Sequence, residues 1–263
     1  LILGGIVFLR HREELRNLKV RQLGLLTLSG VFLAAHFATW ITSLEYTSIA
    51  SSVVLVCSTP LWVALLSPVF IKEKPGKELW FGMVLTLMGA VVVGLSGSLQ
   101  ITASGLVFSG FNTADQSKSL FGNFLALLGA WSETGYILIG RGARRKISIM
   151  PYTFLVYGSA AIVLLIVVFV TGLSLAGYSA PAYLWMIALA VVPQLIGHTS
   201  FNWALGYLNA AFVSVALLGE PVGTTILSYL ILKESPTIIE TVGGVLILVG
   251  IYITSQSKNS NAS

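Results

Sequence analysis

The chain has 263 residues, of which 56% are hydrophobic and 10% charged, with a mean hydropathy of +0.88. A soluble domain carries about 25% charged residues, so an ordinary cytosolic enzyme, a nucleic-acid-binding domain and a disordered chain are all excluded. The net charge is +5, and the single cysteine, Cys57, excludes an intrachain disulfide framework and a cysteine-based metal cluster.

The first nine residues (LILGGIVFL) are apolar but reach only about 14 Å as a helix, short of a hydrocarbon core of about 30 Å. Positive charge follows this run instead of preceding it, unlike a secretory signal. It reads as the tail of a helix that begins outside this sequence. Eight further apolar stretches follow, at residues 23–44, 48–71, 79–95, 120–139, 152–170, 182–203, 207–232 and 238–254. Each has the length of a membrane crossing, and the runs are continuous, without the alternation of a barrel strand. Lipid offers no partner to a free amide, so they are expected to be helices. The connectors are short except the Gly/Ser-rich stretch 97–118, read as a loop, and residues 256–263 read as a disordered tail.

Lys and Arg alternate from loop to loop. Arg10, Arg12, Arg16, Lys19 and Arg21 fill one loop, and the connector at Glu45 has none. Lys72, Lys74 and Lys77 come next, then only Lys118, then Arg141, Arg144, Arg145 and Lys146, then none at 172–181. This positive-inside pattern places the rich loops and the C-terminus in the cytoplasm. Spread over several short loops, these charges do not form a nucleic-acid or lipid patch.

A shift of 161 residues aligns two parts of the chain without a gap. Leu44, Tyr46, Ala50 and Val54 meet Leu205, Tyr207, Ala211 and Val215; Pro60 and Ser67 meet Pro221 and Ser228. Lys72-Glu73-Lys74-Pro75 meets Lys233-Glu234-Ser235-Pro236, and Gly82 and Gly89 meet Gly243 and Gly250. This is an internal duplication. Five crossings separate the two K-E-x-P turns, so the copies are inverted, as in secondary transporters whose site lies between the halves. Counting back by 161 residues, the complete protein is expected to have ten helices, five per half. The repeats are residues 1–98, truncated at the N-terminus, and 119–255.

Leu217-Leu218-Gly219-Glu220-Pro221-Val222 precedes Leu232-Lys233-Glu234-Ser235-Pro236. The run Leu125-Ala126-Leu127-Leu128-Gly129-Ala130-Trp131 with Tyr136 opens the second half, and Gly243 and Gly250 lie in the last helix. On these residues the chain resembles the EamA family of the drug/metabolite transporter superfamily. The usual Gly-Glu of that family before the last helix reads Lys-Glu here. The resemblance implies an all-α, polytopic ten-helix bundle that carries small metabolites across the plasma membrane, with no cofactor.

An ionisable residue within a span costs about 2.5–3.5 kcal/mol and calls for a reason. Glu220 lies mid-span before Pro221, which removes a helical amide and bends the helix. A carboxylate beside an opened helix suits a substrate amine or a proton, and the alternative is a protonated packing residue. Pro60 is the symmetry mate, with Thr59 where the carboxylate would be. Glu133 is the second intramembrane carboxylate, near Trp131 and one turn from Tyr136, in a polar setting of Ser132 and Thr134. Gln194, His198 and Asn202 recur every four residues and are expected on one α-helical face. His36, Trp40 and Ser43 make a comparable stripe. Such polar-aromatic faces suit substrate binding, although either histidine alone also fits an interhelical hydrogen bond. No third ligand accompanies the histidines, so no metal site is expected. Trp62, Trp80 and Trp185 are read as interfacial or packing residues.

A secondary transporter working by alternating access is the leading function, with a small-molecule solute, the lipid bilayer and a proton as partners. The chain lacks a phosphate-binding G-x-x-x-x-G-K-[ST] sequence for direct ATP drive. Two other classes are an intramembrane Ser/His hydrolase, which lacks a G-x-S-x-G elbow, and a channel or non-transporting membrane protein.

Overall fold

A computed structural model of the chain describes residues 2–95, 99–102, 105–108, 116–233 and 235–257. Its helices are α1 (Ile2–Arg10), α2 (Arg12–Arg16), α3 (Val20–Tyr46), α4 (Ile49–Val56), α5 (Thr59–Phe70), α6 (Lys77–Gly94), α7 (Gln116–Arg144) and α8 (Ile149–Thr171). There follow α9 (Ala180–Leu189), a π-helical segment (Ala190–His198), α10 (Thr199–Ala204), α11 (Ala210–Leu217), α12 (Glu220–Leu227), a second π segment (Ser228–Leu232) and α13 (Ile238–Ser255). The stretches Val20–Tyr46, Ser51–Phe70, Ile149–Thr171, Ala180–Ala204, Ala210–Ile231 and Ile238–Ser255 are long and apolar enough to cross a membrane. Phe169, Val170, Leu184, Trp185 and Ile187 are among many large apolar residues left exposed. Water-soluble monomers rarely expose apolar surface on that scale, whereas lipid accepts it.

The long connector departs from the expected loop. Strands β1 (Leu99–Thr102) and β2 (Gly105–Phe108) form an antiparallel hairpin, with Leu99 opposite Phe108 and Thr102 opposite Gly105. Ile, Thr, Val and Phe favour extended backbone, and the Gly and Ser residues around them obscure that signal. The disordered tail expected over 256–263 lies outside the described residues from 258 onward, as does Glu234 of the second turn.

The duplication is written into the helix ends. Adding 161 to the bounds of α4 gives those of α11, and adding it to the bounds of α6 gives those of α13. Ser48 and Asn209, one shift apart, are both N-caps whose side chains accept from the backbone N–H three residues on. Lys72 and Lys233, also one shift apart, are the two positive-φ non-glycine residues described, at 59° and 62°. After α5, Lys72 stands in the left-handed conformation, and the Glu73 N–H reaches the Ser67 carbonyl at 3.3 Å, which also accepts from the Ile71 N–H at 3.0 Å. Glu73 is buried, and its carboxylate accepts from the Ala210 N–H at 3.0 Å. An anion at a helix N-terminus meets the positive end of the peptide dipoles.

The chain packs as two compact units, one of Leu1–Ala35 with Gly135–Leu208 and the other of His36–Thr134 with Asn209–Ser263. Each unit draws on both repeats, so the copies interleave along the chain. In the first unit, Phe8 of α1 meets Phe154 of α8 edge-on at 5.6 Å. Gly30 lets α3 approach α8, since a Cβ there would lie 2.5 Å from the Val156 carbonyl. Glu14 of α2 accepts from both the backbone N–H and the hydroxyl of Ser148, the N-cap of α8. In the second unit, α6 and α13 run antiparallel in close contact. A Cβ on Gly82 would lie 2.5 Å from the Gly250 carbonyl, and one on Gly89 would lie 2.6 Å from the Gly243 carbonyl. Since 82 and 243 are equivalent, as are 89 and 250, the contact is isologous. It is the geometry an inverted duplication generates on its own two-fold axis.

Gly250→Leu is expected to cost about 3 kcal/mol, because backbone opposes the added atoms, and to lower the melting temperature in detergent. Gly158→Ala, where an added Cβ meets nothing within 4 Å, is expected to be neutral or stabilising by up to about 1 kcal/mol.

Burial raises the carboxyl pKa of Glu14, but its bonds from Ser148 and the nearby His11 outweigh this and hold it below the ordinary 4.5. A folded-state value below the unfolded one means the contribution is full above the ordinary carboxylate range and is lost as pH falls through the folded value. The stability gap between wild type and Glu14→Gln, about 1 kcal/mol at neutral pH, is therefore expected to close on acidification in thermal melts.

Candidate functional site

The spans that carry Pro60 and Pro221 are each broken. α4 ends at Val56 and α5 begins at Thr59; α11 ends at Leu217 and α12 begins at Glu220. The sequence reading has Pro221 bending a continuous helix. Instead, a short turn separates two helices and both prolines sit in the first turn of the second, where a missing N–H is tolerated. In an unbroken helix Pro60 would have bonded the Val56 carbonyl. Thr59 Oγ1 lies 2.9 Å from that oxygen and takes the role of donor.

Around this break the second unit gathers several of the residues picked out from sequence. Thr59 Oγ1 lies 2.8 Å from Glu133 Oε2. His36, on α3, is buried, with Nδ1 3.0 Å from the Gly129 carbonyl and 4.0 Å from Glu133 Oε2. The carbonyl only accepts, so Nδ1 carries hydrogen. The His36 ring stacks on Trp40 at 5.6 Å, and the Trp40 Nε1 is buried without a partner. Glu220 is exposed, has no described hydrogen bond, and lies within electrostatic range of both Glu133 and His36. Ser43 faces α4, 2.6 Å from Ser52 Oγ, and acts as a helix-to-helix contact. Trp131 is partly exposed and meets Trp62 edge-on at 5.6 Å. Trp62 donates to Ser58 Oγ at 3.1 Å. Of the two sequence readings, interfacial or packing residue, these contacts fit packing at the break; a tryptophan's span position alone does not reveal its indole partner.

The first unit holds a separate polar cluster. Asn202 is fully buried, and its Nδ2 lies 2.5 Å from Tyr136 Oη, 3.1 Å from Tyr157 Oη and 2.6 Å from the His198 carbonyl. Tyr157 Oη is 3.4 Å from Thr199 Oγ1, and the rings of His198 and Tyr136 are 6.3 Å apart. Gln194 has no described contact with this cluster. Gln194 and His198 lie in the π-helical stretch Ala190–His198, and Asn202 lies in α10. Arg141 and Arg144, read as loop charges, are buried: Arg141 donates to the Leu205 carbonyl at 2.8 Å and Arg144 to the Asn202 carbonyl at 3.0 Å. They neutralise the carbonyl end of α10.

Sequence reasoning marks Thr59 only as the repeat mate of Glu220 and gives neither Trp62 nor Tyr157 a place in a site. For Tyr157 no signal exists, because only packing brings it to Asn202. Among the described residues no group of three or more His, Cys, Asp or Glu is placed to hold a metal ion.

An inverted duplication of apolar helices, broken mid-span beside carboxylates, defines a multi-pass membrane protein with the architecture of a carrier. The EamA-like transporter family matches residues 1–95 and 120–256, and the chain belongs to that family. It is 26% identical to the uncharacterized transporter YdfC of Bacillus subtilis over 78% of this chain and 62% of the relative, so it spans under two thirds of that protein. An uncharacterized transporter of Archaeoglobus fulgidus is 22% identical over 90% of this chain and 76% of its own length. One of Clostridium kluyveri is 23% identical over 99% and 83%. A crystal structure of a protein with 17% identity superposes with a TM-score of 0.74, covering 97% of this chain and 82% of that one, and shares its fold.

Asn202→Leu is expected to cost about 1–3 kcal/mol, because it strips a donor from two tyrosine hydroxyls and the His198 carbonyl. Thermal unfolding of the detergent-solubilised chain measures this.

Proposed function

We propose that this protein is a secondary transporter, working as an exporter in the plasma membrane with its C-terminus in the cytoplasm. Its cargo is small organic solutes bearing an amine, such as amino acids and aromatic amines. The transport cycle is alternating access between the inverted repeats 1–98 and 119–255. One observation carries this reading: two carboxylates, Glu133 and Glu220, adjoin a paired helix break together with an indole pair and a histidine. A cationic amine would be drawn to the exposed Glu220, and indole rings accept both aromatic groups and cations. His36, Trp40, Trp131, Glu133 and Glu220 are the proposed solute-binding residues in one unit. Tyr136, His198 and Asn202 form a second polar cluster in the other. Ser43 and Gln194, from the sequence reading, are proposed to line the path without direct contact.

The hydrolase and channel readings have no observation in their favour. His36 engages a backbone carbonyl rather than a serine, and the relatives are named transporters.

The test is counterflow in liposomes loaded with a mixed pool of amino acids and aromatic amines. Exchange of amine-bearing compounds is expected, and Glu220→Gln is expected to slow it about tenfold, the loss of one charge-assisted contact of roughly 1.5 kcal/mol. Undiminished exchange in Glu220→Gln would remove that residue from the site, and absence of exchange of any compound by the wild type would remove the transporter reading.

A further inference from the structure

We propose that Glu133 is a proton-carrying group and that Thr59 transmits its protonation state to the helix break at Pro60; this deepens the transporter reading, on which the use of the proton rests. The argument is one of hydrogen counting. Thr59 has a single hydroxyl hydrogen and three acceptors in reach: Glu133 Oε2 at 2.8 Å, the Val56 carbonyl at 2.9 Å and the Ala130 carbonyl at 3.5 Å. The two close ones cannot both receive it.

With Glu133 ionised, its carboxylate only accepts, so the hydroxyl hydrogen goes to Oε2 in a charge-assisted bond. The Val56 carbonyl, already deprived of a helical amide by Pro60, then loses its substitute donor. With Glu133 protonated, the carboxyl O–H donates to Thr59 Oγ1, and the hydroxyl hydrogen turns to Val56. All three groups are then satisfied in one chain, from the Glu133 O–H through the Thr59 O–H to the Val56 carbonyl. The step takes up one proton at Oε2 and breaks no bond between heavier atoms. A freed backbone carbonyl inside a membrane is costly, so each protonation state favours a different arrangement of the α4–α5 break.

The titratable groups described within electrostatic range of Glu133 come from three neighbouring segments. His36 comes from α3, Cys57 from the break itself and Glu220 from the start of α12. His36 already donates through Nδ1 to Gly129, so it orients without needing a charge. The other half has no copy of the device, because Glu220 itself occupies the position equivalent to Thr59.

Infrared difference spectra of the purified full chain between neutral and acid pH, with no solute present, test the proposal. A titrating carbonyl stretch of a protonated carboxyl is expected that disappears in Glu133→Gln and persists in Glu220→Gln. It should shift in frequency in the near-isosteric Thr59→Val and return to its place in Thr59→Ser. The Gln variant retains a donor toward Thr59, which protects folding. Tryptophan emission gives a second readout at the break. A pH-dependent component lost in Trp62→Phe is expected to be lost also in Thr59→Val and restored in Thr59→Ser. A band that survives Glu133→Gln, or that keeps its frequency in Thr59→Val, overturns the proposal. Because the spectra need no solute, a wild type that fails in counterflow leaves this result standing, and the two readings fail separately.

Discussion

Every carbonyl and amide inside a bilayer must find its partner within the protein, and Pro60 and Pro221 each remove an amide from the middle of a crossing. Lipid supplies no replacement, so the backbone there either strains or recruits side chains. Here the helix stops, turns and restarts with the proline in the first turn of the new segment. The cost moves to the last carbonyls of the preceding helix. At the first break those carbonyls are met by hydroxyls: Ser58 donates to Leu55 at 2.6 Å and Thr59 reaches Val56. The polar groups that make a solute site conceivable at mid-membrane are thus first of all answers to a backbone deficit.

The duplication explains why the deficit occurs twice and why the two breaks are set in comparable frames. Caps, helix bounds and left-handed lysines recur at a spacing of 161 residues. The close approach of α6 to α13 pairs each glycine with the partner of the other. A parallel duplication would place equivalent glycines on helices pointing the same way, and Gly82 and Gly89 would not then meet Gly250 and Gly243 in crossed order. Orientation is therefore fixed locally, by the sequence of glycine contacts along one helix pair. The compact units nevertheless mix segments of both repeats.

Apolar length, the prolines and the repeat were legible in the chain, because each is a one-dimensional property. The carboxylates were legible too, since charge in a span is conspicuous wherever it points. What remained hidden depended on helix type or on a third dimension. The π-helical stretch Ala190–His198 is one case, and nothing in AVVPQLIGH but Pro193 hints at it. Trp62 and Trp131 are 69 residues apart (131 − 62) and meet only because α5 and α7 lie together. Arg141 and Arg144 counted as loop charges, whereas their long side chains fold back onto free carbonyls, a reach that composition does not reveal.

The two breaks differ at one decisive position. Thr59 offers a hydroxyl, donor and acceptor together, while Glu220 offers a carboxyl that donates only when protonated. A hydroxyl can serve a carbonyl at any pH unless a stronger acceptor competes for its hydrogen, and Glu133 is that competitor. Glu220 has no such partner and remains exposed. In the proposed scheme this asymmetry separates two tasks that a symmetric pair would confuse. The half-buried carboxylate, tied to the backbone through Thr59, is suited to hold a proton and report it to the helix. The exposed one is suited to meet a cation from outside. The two carboxylates lie within electrostatic range of each other and of His36, so the two tasks fall to neighbouring groups of one unit.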